Sequence, residues 1–84
     1  MKIFFSKNFD KQYQKLPNKI QVKFDERLLI LLDSEVHPLL KVHELKGAKV
    51  PLLSMNVTAD YRALFLKEQG YISFQEIGTH SELY

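Results

Sequence analysis

"DYRALFLKEQGYISFQEIG", residues 60–78, decides the fold of this chain. Residues 60–67 alternate, with Tyr61, Ala63 and Phe65 on one side and Arg62, Leu64 and Leu66 on the other. That period of two is the mark of a β-strand. Glu68, Gln69 and Gly70 form a tight turn with glycine at its end. Residues 71–78 then read as the returning strand. The stretch predicts an antiparallel hairpin.

Upstream, "PLLSMNV" (51–57) alternates loosely, with Leu53, Met55 and Val57 on one side. "HPLLKVHELKGAKV" (37–50) is mixed, holds Gly47, and reads as a loop with one short extended piece near 41–46. Earlier still the period changes. Phe9, Tyr13 and Leu16 stand at i, i+4 and i+7, which lays them along one face of a helix. Ser6 or Asn8 can cap that helix, and Pro17 stops it. In residues 18–36, Ile20, Phe24, Leu28, Leu31 and Leu32 keep the helical period, with Asn18 as N-cap and Pro38 beyond the far end. "KIFFS" (2–6) is a short β-type run.

The expected order is β-α-α-β-β-β, with a further short strand near 41–46. This is an α+β fold in a single domain, 1–84. Two amphipathic helices cover one face of a small antiparallel sheet. The other face stays open to water or a ligand. The sequence holds no internal repeat, linker or low-complexity segment.

At 84 residues the chain hides only roughly 60–65% of the surface its unfolded form exposes, so stability rests on the core. There is no cysteine, hence no disulfide and no thiolate metal site. The 45% of hydrophobic residues must supply the core. The longest apolar run, "LLILL" at 28–32, is too short to cross a bilayer, and the N-terminal apolar run is too short for a signal peptide. A cytoplasmic protein with no membrane partner is expected. Twelve basic against ten acidic residues give a net charge of +2, compatible with an RNA ligand without announcing one.

Six polar positions in the second half ask for a reason: His43, Lys46, Asp60, Arg62, His80 and Tyr84. Each has an ordinary explanation. Arg62 can pair with Asp60, which shares its side of the pleat two residues away. His43 and Lys46 can be surface groups beside a loop glycine. Residues beyond the last strand are usually loose unless packing holds them. The alternative is chemical: a guanidinium on an open sheet face is a natural phosphate clamp. Other chemistries lack their motifs. The three histidines have no metal-ligand spacing, and no phosphate-binding glycine loop or serine-nucleophile elbow is present. Neither a metal nor a cofactor is expected.

Taken together, "FSKNFDKQYQKLP", "HELKG" (43–47), "NVTADYRALF" (56–65) and "FQEIGTHSELY" (74–84) resemble the RelE/ParE superfamily of bacterial toxins from type II toxin–antitoxin pairs. The likeness covers nearly the whole chain and implies the fold just described. Its RelE-like and YafQ-like branch is known for metal-free, ribosome-dependent cleavage of messenger RNA. The resemblance implies a general base at His43, a phosphate-binding arginine at Arg62, and a general acid or base-stacking ring at His80 and Tyr84. Lys46 would assist at the phosphate, and Asp60 matches an aspartate used by histidine-rich relatives. Those relatives carry another histidine where this chain has Asn56. The implied partners are a cognate antitoxin, in a toxin–antitoxin hetero-oligomer, and the ribosome with its message. ParE-like members share the fold but inhibit DNA gyrase; an inactive, antitoxin-binding relative is the third reading.

Overall fold

The computed structural model describes all 84 residues. Strand β1 (Lys2–Phe5) leads into helices α1 (Lys7–Gln14) and α2 (Asn18–Asp33). Then come β2 (His43–Glu44), a 3₁₀ turn (Gly47–Lys49), β3 (Leu53–Asn56), β4 (Tyr61–Glu68), β5 (Tyr71–Thr79) and the one-turn helix α3 (His80–Leu83). The five strands form one sheet in the order β1-β5-β4-β3-β2. No helix is long and apolar enough to cross a membrane.

The expected hairpin is β4–β5, and β2, the short extra strand, pairs with β3. One detail departs from the sequence reading. The sheet is antiparallel from β2 to β5, but β1 joins β5 in parallel, with Lys2 opposite Tyr71 and Phe5 opposite Phe74. A parallel pair needs a long connection rather than a turn; here both helices and three strands lie between the two partners.

The helices cover one face, as their periodicity predicts. Ser6 caps α1 by accepting a hydrogen bond from the Phe9 amide at 2.9 Å. The helix points Phe9 and Tyr13 inward, and Leu16 follows them. In α2, Phe24 and Leu31 are buried, while Ile20 and Leu28 pack at the core's edge. Leu32 is 45% exposed, because adjacent helical positions diverge by about 100° and Leu31 takes the inward place. Pro17, not Asn18, is the N-cap of α2, so that helix starts without a side-chain cap. The two helices are tied to each other: the Tyr13 hydroxyl donates to Asp25 Oδ1 at 3.0 Å, and Gln21 Nε2 donates to the Tyr13 carbonyl at 2.8 Å.

At the centre is an aromatic cluster. Phe74 meets Phe24 edge-on at 5.1 Å between ring centroids, stacks with Phe5 at 5.7 Å, and touches Phe9 and Phe65. Such pairs each add about 0.5–1.5 kcal/mol beyond area burial.

Strand β5 carries a bulge. Leu64 faces Glu76 and Phe65 faces Phe74, so Gln75 is an extra residue. The inward positions are therefore Ile72, Phe74 and Ile77 rather than every second residue. The same shift sends Glu76 and Gly78 to the other face. Helix α1 satisfies the backbone of β5 beyond the end of β1. The Ser6 amide and hydroxyl donate to the Phe74 and Gln75 carbonyls, and the Ile77 amide donates to Gln12 Oε1.

Candidate active site

On the face away from the helices, cross-strand pairing sets out two rows. One runs His43, Ser54, Leu64 and Glu76 across β2, β3, β4 and β5. The other runs Asn56, Arg62 and Gly78 across β3, β4 and β5. The α-carbons of His43 and Arg62 lie two strands and two residues apart, which is roughly 12 Å in a sheet. That separation is too long for direct contact. It suits two long side chains reaching a group held between them.

The chain's last turn lies over these rows. Thr79 caps α3 and forms a capping box with Glu82: the Glu82 amide donates to the Thr79 hydroxyl, while the Thr79 amide donates to Glu82 Oε1 at 2.7 Å. This amide, and then the Thr79 hydroxyl, hold the Glu82 carboxyl below its ordinary range. Leu83 is buried, as is Leu64 on the same face of the sheet, and neither belongs to the main core cluster. Gly78 makes room for α3. A Cβ there would stand 3.0 Å from Glu82 Oε1 and 3.5 Å from Leu83 Cδ2.

Residue Tyr84 is fixed by its ring. Its hydroxyl donates to Ser54 Oγ at 2.8 Å, and Ser54 is the cross-strand neighbour of His43. Ser54 is fully buried, and this bond satisfies its hydroxyl. The His80 ring lies 4.6 Å from the Tyr84 ring, tilted by 49°, while the His80 amide donates to the Asp60 carbonyl at 3.0 Å.

His43 is exposed, with Nδ1 3.0 Å from the carbonyl oxygen of Lys41. A carbonyl only accepts, so in this contact Nδ1 carries the hydrogen. The neutral ring then keeps its lone pair on Nε2, the arrangement a proton acceptor needs. Arg62 is half-buried and donates through Nη1 to Asn56 Oδ1 at 2.5 Å. A guanidinium has five N–H donors, so most of its capacity is left for an anion. The Asp60–Arg62 ion pair that the sequence allows does not form. Asp60 sits in the β3–β4 turn and supports His80 through its backbone carbonyl. Lys46 is exposed at the mouth of the 3₁₀ turn and makes no ion pair.

The C-terminal turn thus sets Tyr84 on Ser54 and His80 beside Tyr84, on the face that also carries Arg62 on β4 and, one strand beyond Ser54, His43. Three residues escaped the sequence reading. Ser54 holds the Tyr84 hydroxyl. Lys49 and Glu76 form an ion pair at 2.9 Å, joining the 3₁₀ turn to β5. Nothing local marks Glu76 as outward, because its side depends on the bulge. Asn56 was visible only as a difference from relatives; here it is the partner of Arg62. No three of the His, Asp and Glu side chains cluster closely enough to hold a metal ion.

The fold has clear counterparts among solved structures. YafQ from E. coli superposes with a TM-score of 0.84 at 17% identity, over 98% of this chain and 96% of that one. YafQ in the E. coli DinJ–YafQ toxin–antitoxin complex gives 0.81 at 19% identity, over 98% and 94%. A YoeB/ParE toxin from Agrobacterium tumefaciens gives 0.78 at 18%, over 95% and 99%. No protein-family model and no curated protein sequence matches the chain. At these identities the likeness establishes the fold, that of the RelE/YafQ-like toxins.

Proposed function

We propose that this chain is the toxin of a type II toxin–antitoxin pair and acts as a metal-free endoribonuclease on ribosome-bound messenger RNA. The observation that supports the reading is the Tyr84–Ser54 hydrogen bond, which seats the C-terminal turn on the sheet face that carries His43 and Arg62, in a fold shared with YafQ. The DinJ–YafQ complex supports a protein antitoxin as partner.

Cleavage of RNA without a metal needs a base, a charge clamp and an acid. His43 Nε2 takes the proton from the ribose 2′-hydroxyl, which then attacks the adjacent phosphorus. Arg62, oriented by Asn56, holds the non-bridging oxygens as negative charge builds, with Lys46 as a second cation. His80 gives its proton to the departing 5′-oxygen. Tyr84, held by Ser54, offers its ring to a nucleobase. The products are a 2′,3′-cyclic phosphate and a 5′-hydroxyl end. Asp60 serves by fixing the start of α3 through its backbone.

Each acid–base role is worth about 10²–10⁴-fold in rate. His43→Ala and His80→Ala should each lower cleavage by that factor while leaving thermal unfolding nearly unchanged, since both side chains are exposed. The parent should show a bell-shaped pH–rate profile, with the alkaline limb lost in His80→Ala and the acid limb lost in His43→Ala. The test is single-turnover cleavage of message on purified ribosomes, with the new ends identified chemically. Expression that halts DNA replication before translation would instead favour a ParE-like gyrase inhibitor. Expression with no effect on growth would favour an inactive antitoxin-binding relative.

A further inference from the structure

Helix α1 carries a feature that the chemistry above does not use. Lys7, Lys11 and Lys15 recur at every fourth residue, all are exposed, and none makes an ion pair. At about 100° per residue they drift steadily around the helix, each turn carrying the next lysine further toward the side of Asn8 and Gln12. That side borders the candidate active face. Asn8 lines a hollow with Leu66 and Glu76, both on that face. Lys15 lines another with Gly78 and Glu82, and Gly78 is the cross-strand neighbour of Arg62. The one carboxylate of α1, Asp10, stands on the opposite flank, where it borders an apolar hollow with Phe5 and Asp25. Lys15 is thus the cation of this row that borders the site, in a hollow it shares with the Glu82 carboxylate, and Lys11 and Lys7 follow it along the exposed side of the helix.

We infer that Lys7, Lys11 and Lys15 form a track for the phosphodiester backbone of RNA, leading away from the edge of the face that carries Arg62. The lysines are about 6 Å apart along the helix axis, close to the step between successive phosphates of a single strand. Gly78 itself lies buried under Glu82 and Leu83 of α3, so the path runs past the outer side of α3 to the hollow at Lys15 and continues along Lys11 and Lys7. Recognition by the lysines is through charge, since an ammonium on a phosphate carries no base information. The inference rests on the RNA-cleaving reading for its choice of anion.

The test uses the triple variant Lys7→Gln, Lys11→Gln, Lys15→Gln and two non-cleavable probes, a 2′-O-methyl RNA dodecamer and a 2′-O-methyl trinucleotide. Binding is followed across a salt series. Neutralising three phosphates on a single strand contributes about 2 to the slope of log Kobs against log[salt]. The variant should lose that amount of slope with the dodecamer and keep its affinity for the trinucleotide. Ribosomes without message form a parallel arm. A loss confined to that arm assigns the track to ribosomal RNA, and a loss with the dodecamer assigns it to the substrate strand. Unchanged slopes in both arms overturn the proposal. The outcome is separable from the nuclease reading: absence of cyclic-phosphate ends from the parent protein would remove the nuclease while a reduced slope would leave the RNA track standing.

Discussion

At the scale of single residues, the C-terminal turn depends on two small decisions. Glu82 accepts hydrogen bonds as a carboxylate, and its pKa in the folded chain lies below the unfolded value. Its contribution is therefore present above the unfolded carboxyl pKa and is lost as pH falls through the folded one. The docking of α3 should loosen on acidification, seen as movement of the Leu83 methyl and Tyr84 ring resonances. Glu82→Gln should remove that pH dependence. Gly78 makes the other decision. Gly78→Ala places a methyl 3.0 Å from Glu82 Oε1, so the carboxylate must give by a few tenths of an ångström and the capping box is strained. We expect a loss of about 1 kcal/mol in stability, within the usual range for single substitutions, and a larger proportional loss of cleavage. Equal cleavage by parent and Gly78→Ala would mean that the seat of α3 does not matter to the chemistry. Arg62 was legible as an outward residue from the alternation of 60–67. Ser54 was not, because an isolated serine in a strand says nothing about what lies above it.

Among the elements, β5 decides how the two faces are populated. If Gln75 were paired regularly instead of bulged, strict alternation would turn Ile77 outward and Gly78 inward, destroying both the core contact and the seat of α3. Deleting Gln75 should keep cooperative unfolding at a lowered midpoint, because Phe74 and Glu76 then oppose Phe65 and Leu64 in regular alternation and only the Ser6–Gln75 hydrogen bond is lost, whereas Gln75→Ala, which keeps the bulge, should leave the midpoint nearly unchanged. Denaturant unfolding followed by circular dichroism distinguishes the two. Element types and approximate limits were readable from period and from Ser6, Pro17 and Gly70, because those signals are local. The bulge was not readable: "SFQEIG" carries no residue that demands one, and it arises from satisfying β4 on one side and α1 on the other. The parallel placement of β1 was hidden for the same reason. A run such as "KIFF" shows that a strand exists and is silent on its neighbour.

For the molecule as a whole, stability is concentrated in one aromatic cluster. A domain this size holds only about 5–15 kcal/mol against unfolding, and truncating a buried phenylalanine costs about 3–5 kcal/mol. Phe74 touches Phe5, Phe9, Phe24 and Phe65 and so joins both helices to three strands. Phe74→Ala should leave the chain largely unfolded at 37 °C, while Phe74→Leu should remain folded with a lowered midpoint; calorimetry gives both. The layered plan was legible because apolar periodicity is a property of the entire chain. A shared face for residues 43, 62, 80 and 84 was expected only through resemblance, since the strand pairing that places 43 and 62 and the turn that places 80 and 84 are encoded by no local pattern.

The pairing of β1 with β5 bears on how the protein is born. Lys2 and Tyr71, sixty-nine positions apart, must meet before the sheet is complete. While the nascent polypeptide is threading out of the tunnel, the sticky "KIFF" segment is therefore orphaned, exposed to chaperones and to neighbouring chains. A complete sheet becomes available only late in synthesis.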